Sequence, residues 1–336
     1  MNTQDATVLV TGGDGFIGSA LIWALNGRGQ ENIIVSGFLG ESEKWKNLVP
    51  LRFADYLEAD ALLEALDSPR LTAVETVLHM GACSDTTETN SRYLIQNNYE
   101  YTRRLAEWAL KGGRRFVYAS SAATYGDGSA GMNDREPDLS LFRPLNMYGY
   151  SKHLFDAHAK RKGWLDRIVG LKYFNIFGPN ESHKGEMRSV VHKAFAQIQE
   201  AGRVRLFKSG NPEYRDGEQK RDFMYVKDAV AATLHLAFTP KAVGLFNVGS
   251  GRASTWIELV TPIFHELGVP VNLEFIDLPE SLREKYQYYT RADTSRLMEA
   301  GWSGPQFSLD QAVRDYVGQH LIRGIPLQVD LKEANS

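Results

Sequence analysis

Val8-Leu9-Val10-Thr11-Gly12-Gly13-Asp14-Gly15-Phe16-Ile17-Gly18-Ser19 is the stretch that decides the fold. A short aliphatic run meets glycines spaced G-x-x-G-x-x-G, and from Ile17 to Leu25 the apolar positions continue in a helical pattern. Strand, tight turn and helix in that order form a cradle for the pyrophosphate of a dinucleotide. Gly12 permits the turn, Gly15 lets the backbone approach the ligand, and Gly18 lets the helix pack closely on the strand; the helix N-terminus supplies free N–H groups and partial positive charge. Glycine-rich turns also serve as plain connections, but the strand before and the helix after favour the cradle.

Outward from the cradle, β-branched runs at 33–35, 74–80, 116–120 and 168–174 alternate with helical patterns at 93–110 and from near Ser151. This alternation predicts an α/β protein: a doubly wound parallel sheet with helices on both faces. After Gly178-Pro179 the chain is more irregular, yet 223–226 and 245–248 read as strands again. The expectation is a dinucleotide-binding domain of residues 1–177 plus about 227–262, interleaved with a smaller C-terminal α/β substrate-binding lobe of about 178–226 plus 263–330. Residues 211–220, polar and Gly/Pro-bearing, read as an exposed loop, and Lys332 to Ser336 as a polar tail.

A chain of 336 residues is too long for one small core and suits two joined lobes. The 38 Lys+Arg against 41 Asp+Glu leave a net charge of -3, which argues against a nucleic-acid partner. The single cysteine, Cys83, closes no intrachain disulfide and points to a reducing compartment, the cytoplasm. No basic leader and no long apolar run are present, so neither secretion nor a membrane partner is expected. No metal is expected.

Tyr148-Gly149-Tyr150-Ser151-Lys152 sets a phenol and an ammonium four residues apart, on one face of a helix. A tyrosine is a poor base near neutrality, and an adjacent lysine favours its phenolate. Ser121, in Ala119-Ser120-Ser121-Ala122-Ala123-Thr124-Tyr125-Gly126, falls at the C-terminal end of a strand, where α/β sheets build their active sites. Tyr148 is thus the candidate acid/base, Lys152 its tuner and cofactor anchor, and Ser121 a donor to the reacting oxygen. At the end of the second strand, Ser36-Gly37-Phe38 offers no carboxylate to a ribose 2′-hydroxyl, so NADP is expected, with NAD as the alternative. Lys44 and Lys46 could neutralise the 2′-phosphate, or simply form a solvated loop face.

Together with Gly81-Ala82, Asn97-Asn98, Tyr173-Phe174-Asn175 and Arg221-Asp222-Phe223, these motifs resemble the extended short-chain dehydrogenase/reductases of the NAD-dependent epimerase/dehydratase family. The resemblance covers nearly the whole chain. Within the family it is similar to the heptose 6-epimerases of lipopolysaccharide core synthesis, which act on ADP-sugars. The telling stretches are Gly81-Ala82-Cys83-Ser84, 118–126, 144–152, and 178–185 with its His183-Lys184-Gly185. The resemblance implies a Rossmann-type sheet, a homo-oligomer and an ADP-sugar transiently oxidised at C6″. It makes Lys184 a second catalytic acid/base facing the carbon from the side opposite Tyr148.

By the same resemblance, the cofactor contacts are Gly12, Gly15, Phe16, Ile17, Gly18, Gly37, Phe38, Lys44, Gly81, Ala82, Cys83, Ser84, Asn97, Lys152 and Ile176. The substrate contacts are Asn175, Glu186, Lys193, Phe207, Arg221 and Tyr286, with Arg221 suited to the diphosphate. The chain departs from the pattern at Lys193, where a histidine is expected, at Glu186, and in lacking an aspartate at the second-strand end. Another nucleotide-sugar epimerase, such as a 4-epimerase, is the nearest rival. A 4,6-dehydratase would need an acidic pair where Ala122-Ala123 stand, and a non-catalytic NADP sensor would have no use for Ser121, Tyr148, Lys152 and Lys184 together.

Overall fold

The glycine array closes the first strand of a parallel sheet in the computed structural model, which describes residues 6–280 and 286–329. The sheet comprises β1 (Thr7–Thr11), β2 (Ile33–Gly37), β3 (Asp55–Glu58), β4 (Val74–His79), β5 (Arg115–Ser121), β6 (Val169–Tyr173) and β10 (Gly244–Val248), in the order β10-β6-β5-β4-β1-β2-β3. β1, β2, β6 and β10 are buried along their whole length, because both faces are covered; such strands read as near-continuous apolar runs rather than alternating ones. β3, Asp-Tyr-Leu-Glu, is one of the two edge strands, and its charged ends kept it out of the sequence-based expectation. β1 lies between β2 and β4, so the chain order reverses on either side of it and a crevice opens beyond its C-terminal end.

One core, under α1 (Phe16–Asn26) and α7 (Val226–Ala237), joins Leu21, Ile22, Val230 and Leu234 to the strands. The core on the opposite face uses Leu105, Ala106 and Ala109 of α4 (Tyr101–Lys111) with Phe155 and Ala159 of α5 (Met147–Arg161). The predicted helix at 93–110 is a continuous helical run: α3 (Ser91–Leu94), a π-helical turn over Ile95–Glu100, then α4. α5 begins four residues before Ser151, because the Asn146 side chain accepts the Gly149 N–H at 2.7 Å and caps it. Arg115 donates to the carbonyls of Leu236, Ala237, Thr239 and Ala242 around the C-terminal end of α7.

After β6 the chain leaves the large sheet and returns to it for β10. In between, β7 (Asn175–Phe177) pairs in parallel with β9 (Lys220–Tyr225), and β9 pairs antiparallel with β11 (Ala253–Thr255). The strand expected at 223–226 therefore belongs to this small sheet. β8 (Val204–Phe207) pairs with β12 (Leu273–Ile276) beside α6 (Val190–Ala201). α8 (Trp256–Glu266) packs on α6 and on the helix Leu309–Asp315, so the boundary drawn at about 262 falls inside a helix. The polar tail at 332–336 lies outside the described residues.

α5 is fastened to the sheet by a buried carboxylate. Asp156 accepts hydrogen bonds from Tyr118 (2.8 Å), Ser120 (2.8 Å) and the Lys172 ammonium (2.7 Å), and Lys172 also donates to Thr124 (2.6 Å). Both ionic side chains are fully buried. Removing one partner strands the other charge, so Asp156→Ala should cost about 3–5 kcal/mol in a guanidinium unfolding titration. A loss below about 1 kcal/mol would show that the pair holds nothing in place.

Candidate active site

A cleft of about 840 Å³ opens at the C-terminal ends of β1, β4 and β5. Its floor is shaped by missing side chains. Gly12 has φ +63°, and a Cβ there would lie 2.7 Å from the Gly81 Cα; a Cβ on Gly18 would lie 2.0 Å from the Gly12 carbonyl oxygen. Gly15 precedes α1 without a side-chain cap and no acid stands in the first turn, which leaves the N–H groups there to an anionic ligand. Phe16, Ile17, Lys44, Gly81, Ala82, Cys83, Ser84 and Ile176 join Gly12, Gly15 and Gly18 in the lining. This geometry fits the pyrophosphate and ribose arms of a nicotinamide dinucleotide.

The π-helical turn buries Asn98, whose amide accepts from Cys83 N (2.8 Å) and donates to Cys83 O (2.9 Å) and Ser151 Oγ (3.0 Å). Ser151 Oγ in turn donates to the Tyr148 carbonyl at 2.7 Å. The loop after β4 and the start of α5 are therefore held by one side chain. Asn97, the neighbour named from the sequence, donates to Tyr93 O one turn back and stays outside the lining.

Tyr148, Lys152 and Ser121 converge on the cleft. Burial raises the Tyr148 phenol, against which the Ser121 hydroxyl beside it acts to lower it. The Lys152 ammonium donates to Ala119 O at 2.8 Å; burial pulls it down to about 8, with Asp156 opposing. From the turn after β7, Lys184 reaches the same cleft, its Nζ 5.2 Å from the centre of the Phe16 ring. Burial lowers Lys184, and nearby Glu181 opposes this. Glu181 is itself wholly buried and accepts from Ser189 N and Oγ, both at 2.6 Å, and from Tyr316 OH at 3.0 Å.

Asn175 lines the cleft, whereas Glu186 and Lys193 pair with each other at the surface at 3.3 Å, and Phe207 sits at the end of β8. None of these three borders the cleft. Arg221 is only 6% exposed and stacks with Trp256 (5.8 Å) and Tyr286 (5.1 Å). Its guanidinium donates to the adjacent Lys220 carbonyl, and among the described residues no carboxylate forms an ion pair with it. Burial pulls it down to about 10. Tyr286 accepts from Trp256 Nε1 at 3.0 Å and borders a second cavity of about 470 Å³ with Tyr214, Tyr288 and Tyr289. Tyr288 and Tyr289 thus face open space, and Gln287 borders both cavities.

At the adenosine end the expected arrangement changes. Gly37 and Phe38 do not border the cleft, and Lys46 pairs with Glu43 at 2.5 Å on the surface. Lys44 donates to Phe38 O at 3.0 Å and lies 3.7 Å from the carboxylate of Asp14, a cleft residue that the sequence reading passed over. The absence of a carboxylate was the ground for preferring NADP, and in the folded chain a carboxylate stands at the end of β2. Among the described residues no helix is long and apolar enough to cross a membrane, and no three His, Cys, Asp or Glu are grouped to hold a metal ion.

A glycine cradle at the switch point of a parallel sheet, with tyrosine, lysine and serine gathered over it, defines a dinucleotide-dependent enzyme of the Rossmann type. The chain belongs to the NAD dependent epimerase/dehydratase family, whose model matches residues 8–249. It is 50% identical over 319 residues to the ADP-L-glycero-D-manno-heptose-6-epimerase of Nitratidesulfovibrio vulgaris strain DP4, covering 95% of this chain and 99% of that one. It is 40% identical to the enzyme of the same name from Fusobacterium nucleatum, covering 94% and 98%. Among solved structures, the Helicobacter pylori ADP-L-glycero-D-manno-heptose-6-epimerase matches with a TM-score of 0.79 at 27% identity, over 95% of this chain and 97% of that one. The chain is an isomerase of the epimerase type.

Gly18→Val tests the cradle, since its side chain would begin 2.0 Å from the Gly12 carbonyl. Wild-type protein should release a nucleotide on denaturation, and the variant should purify without it. Undiminished nucleotide in the variant would place the cofactor elsewhere.

Proposed function

We propose that this enzyme interconverts the D-glycero and L-glycero forms of an ADP-manno-heptose by transient oxidation at C6″. The observation that carries the proposal is that Tyr148 and Lys184, on separate elements, open onto the one cleft that also holds the glycine cradle. When bound, the nicotinamide supplies a reversible acceptor for the hydride of the sugar carbon. Tyr148, near Ser121 and one turn from Lys152, takes the proton of the C6″ hydroxyl as the carbon becomes planar. Ser121 donates to the oxygen through both halves of the cycle, and Lys152, with a value about 8, remains mostly cationic at neutral pH and favours the phenolate.

The planar carbon is then presented by its other face, and Lys184 gives the oxygen a proton from its own ammonium, while Tyr148 keeps the proton it took until both groups exchange with solvent. In the reverse direction the two groups exchange roles. Desolvation brings the Lys184 ammonium closer to neutrality, which suits a group that must both give and take a proton. Arg221, buried and without a carboxylate partner among the described residues, is suited to the diphosphate, and the tyrosine-walled cavity at Tyr286 is open to the nucleotide.

Incubation with ADP-D-glycero-D-manno-heptose, followed by NMR at C6″, tests the whole reading. Wild-type protein should equilibrate the two configurations. Tyr148→Phe and Lys184→Met should each lower the rate by ~10²–10⁴-fold or more while retaining the bound nucleotide. A Lys184→Met variant that epimerises near the wild-type rate would refute the two-base mechanism.

A further inference from the structure

Asp14 lies inside the glycine cradle, yet its carboxylate is turned toward the end of β2. Oδ2 accepts the Phe38 N–H at 3.1 Å, and the Asp14 backbone is fixed by Asn47, which donates to the Asp14 carbonyl at 3.0 Å. A Cβ built on Gly37 would lie 2.3 Å from Asp14 Oδ1. The carboxylate therefore occupies the space into which a side chain from the end of the second strand would project. Nothing on that strand end competes for it. Ser36 is wholly buried, Gly37 has no side chain, and Phe38 is 63% exposed and outside the cleft.

In dinucleotide crevices an acid at this place accepts a hydrogen bond from the adenosine ribose 2′-hydroxyl. We propose that Asp14 reads the adenosine ribose, so that the enzyme selects a dinucleotide with a free 2′-hydroxyl, NAD, over one with a 2′-phosphate. The proposal rests on the cleft holding a nicotinamide dinucleotide. A 2′-phosphate would bring about -1.5 to -2 charges against a carboxylate that is 2% exposed. Lys44 does not reverse this: its ammonium is already shared between Asp14 and the Phe38 carbonyl, and one positive charge cannot neutralise both acids. Specificity thus arises from repulsion of the wrong ligand as well as attraction of the right one.

The test is an equilibrium titration of nucleotide-stripped protein with NAD and with NADP, read by calorimetry, alongside identification of the nucleotide released by denaturing the protein as purified. Wild-type protein should bind NAD about tenfold or more tightly than NADP, and Asp14→Asn, which keeps an acceptor for Phe38 N–H but loses the charge, should move the ratio about tenfold or more toward NADP. Lys44→Gln, which leaves the carboxylate unopposed, should weaken NADP more than NAD. Wild-type protein that prefers NADP overturns the proposal, as does an unchanged ratio in a folded Asp14→Asn variant. Should that variant fail to fold, an unchanged ratio in Lys44→Gln overturns it instead. Binding of neither dinucleotide by folded wild-type protein overturns the cofactor reading itself, a failure distinct from a wrong preference between the two.

Discussion

The buried carboxylate of Asp156 is the constraint on which the geometry of the cleft depends. Its burial would be prohibitive alone, and it is made tolerable by two hydroxyls and the Lys172 ammonium, all within 2.8 Å. These partners come from β5 and β6, and Lys172 extends the network to Thr124 in the turn that follows Ser121. Asp156 stands one helical turn after Lys152 and two after Tyr148, so fixing it fixes the face of α5 that carries both. Its charge also opposes the desolvation of Lys152. A single group thus sets where the ammonium is and helps keep it charged.

The cleft floor meets a complementary requirement, that two backbones approach more closely than side chains permit. Gly12 against Gly81 and Gly18 against Gly12 bring β1, α1 and the loop after β4 together. That loop would be free to drift were its Cys83 backbone not clamped from both sides by Asn98. The π-helical turn follows from this need: an extra residue in the helical turn directs a polar side chain inward, as such bulges often do at functional sites.

What the sequence disclosed and what it withheld divide along a physical line. That the cradle, the Tyr148–Lys152 pair and Ser121 would meet in one cleft was legible, because local spacing at the ends of strands and the start of a helix sets where they lie. β3 was not, because an edge strand of four residues with charged ends lacks both alternation and an apolar run. Asn97 was named as a cofactor contact, and it is Asn98 beside it that turns inward and clamps the Cys83 loop, since neighbouring positions on a helix point about 100° apart and only the packing reveals which one faces inward. Glu186 and Lys193 find each other across a turn and a helix, and no spacing rule announces that. Asp14 escaped for the same reason: its partners, Phe38 and Lys44, lie more than twenty residues away on another strand and loop.

The cations in and beside the cleft share a feature that the net charge of -3 conceals. Lys152, Lys184 and Arg221 are all cations whose charged form is disfavoured by burial. Lys152 and Lys184 have a carboxylate nearby to oppose that penalty, whereas Arg221 has aromatic faces and one backbone carbonyl. A diphosphate arriving at Arg221 would remove a penalty already built into the free protein, so the gain from that contact exceeds what an exposed arginine could give. Arg221 lies in β9, which pairs with β7 and so with the strand that carries Asn175 at the cleft wall. On the proposed function, a diphosphate held at Arg221 would couple binding of the remote, unreactive part of the substrate to placement of the carbon between Tyr148 and Lys184.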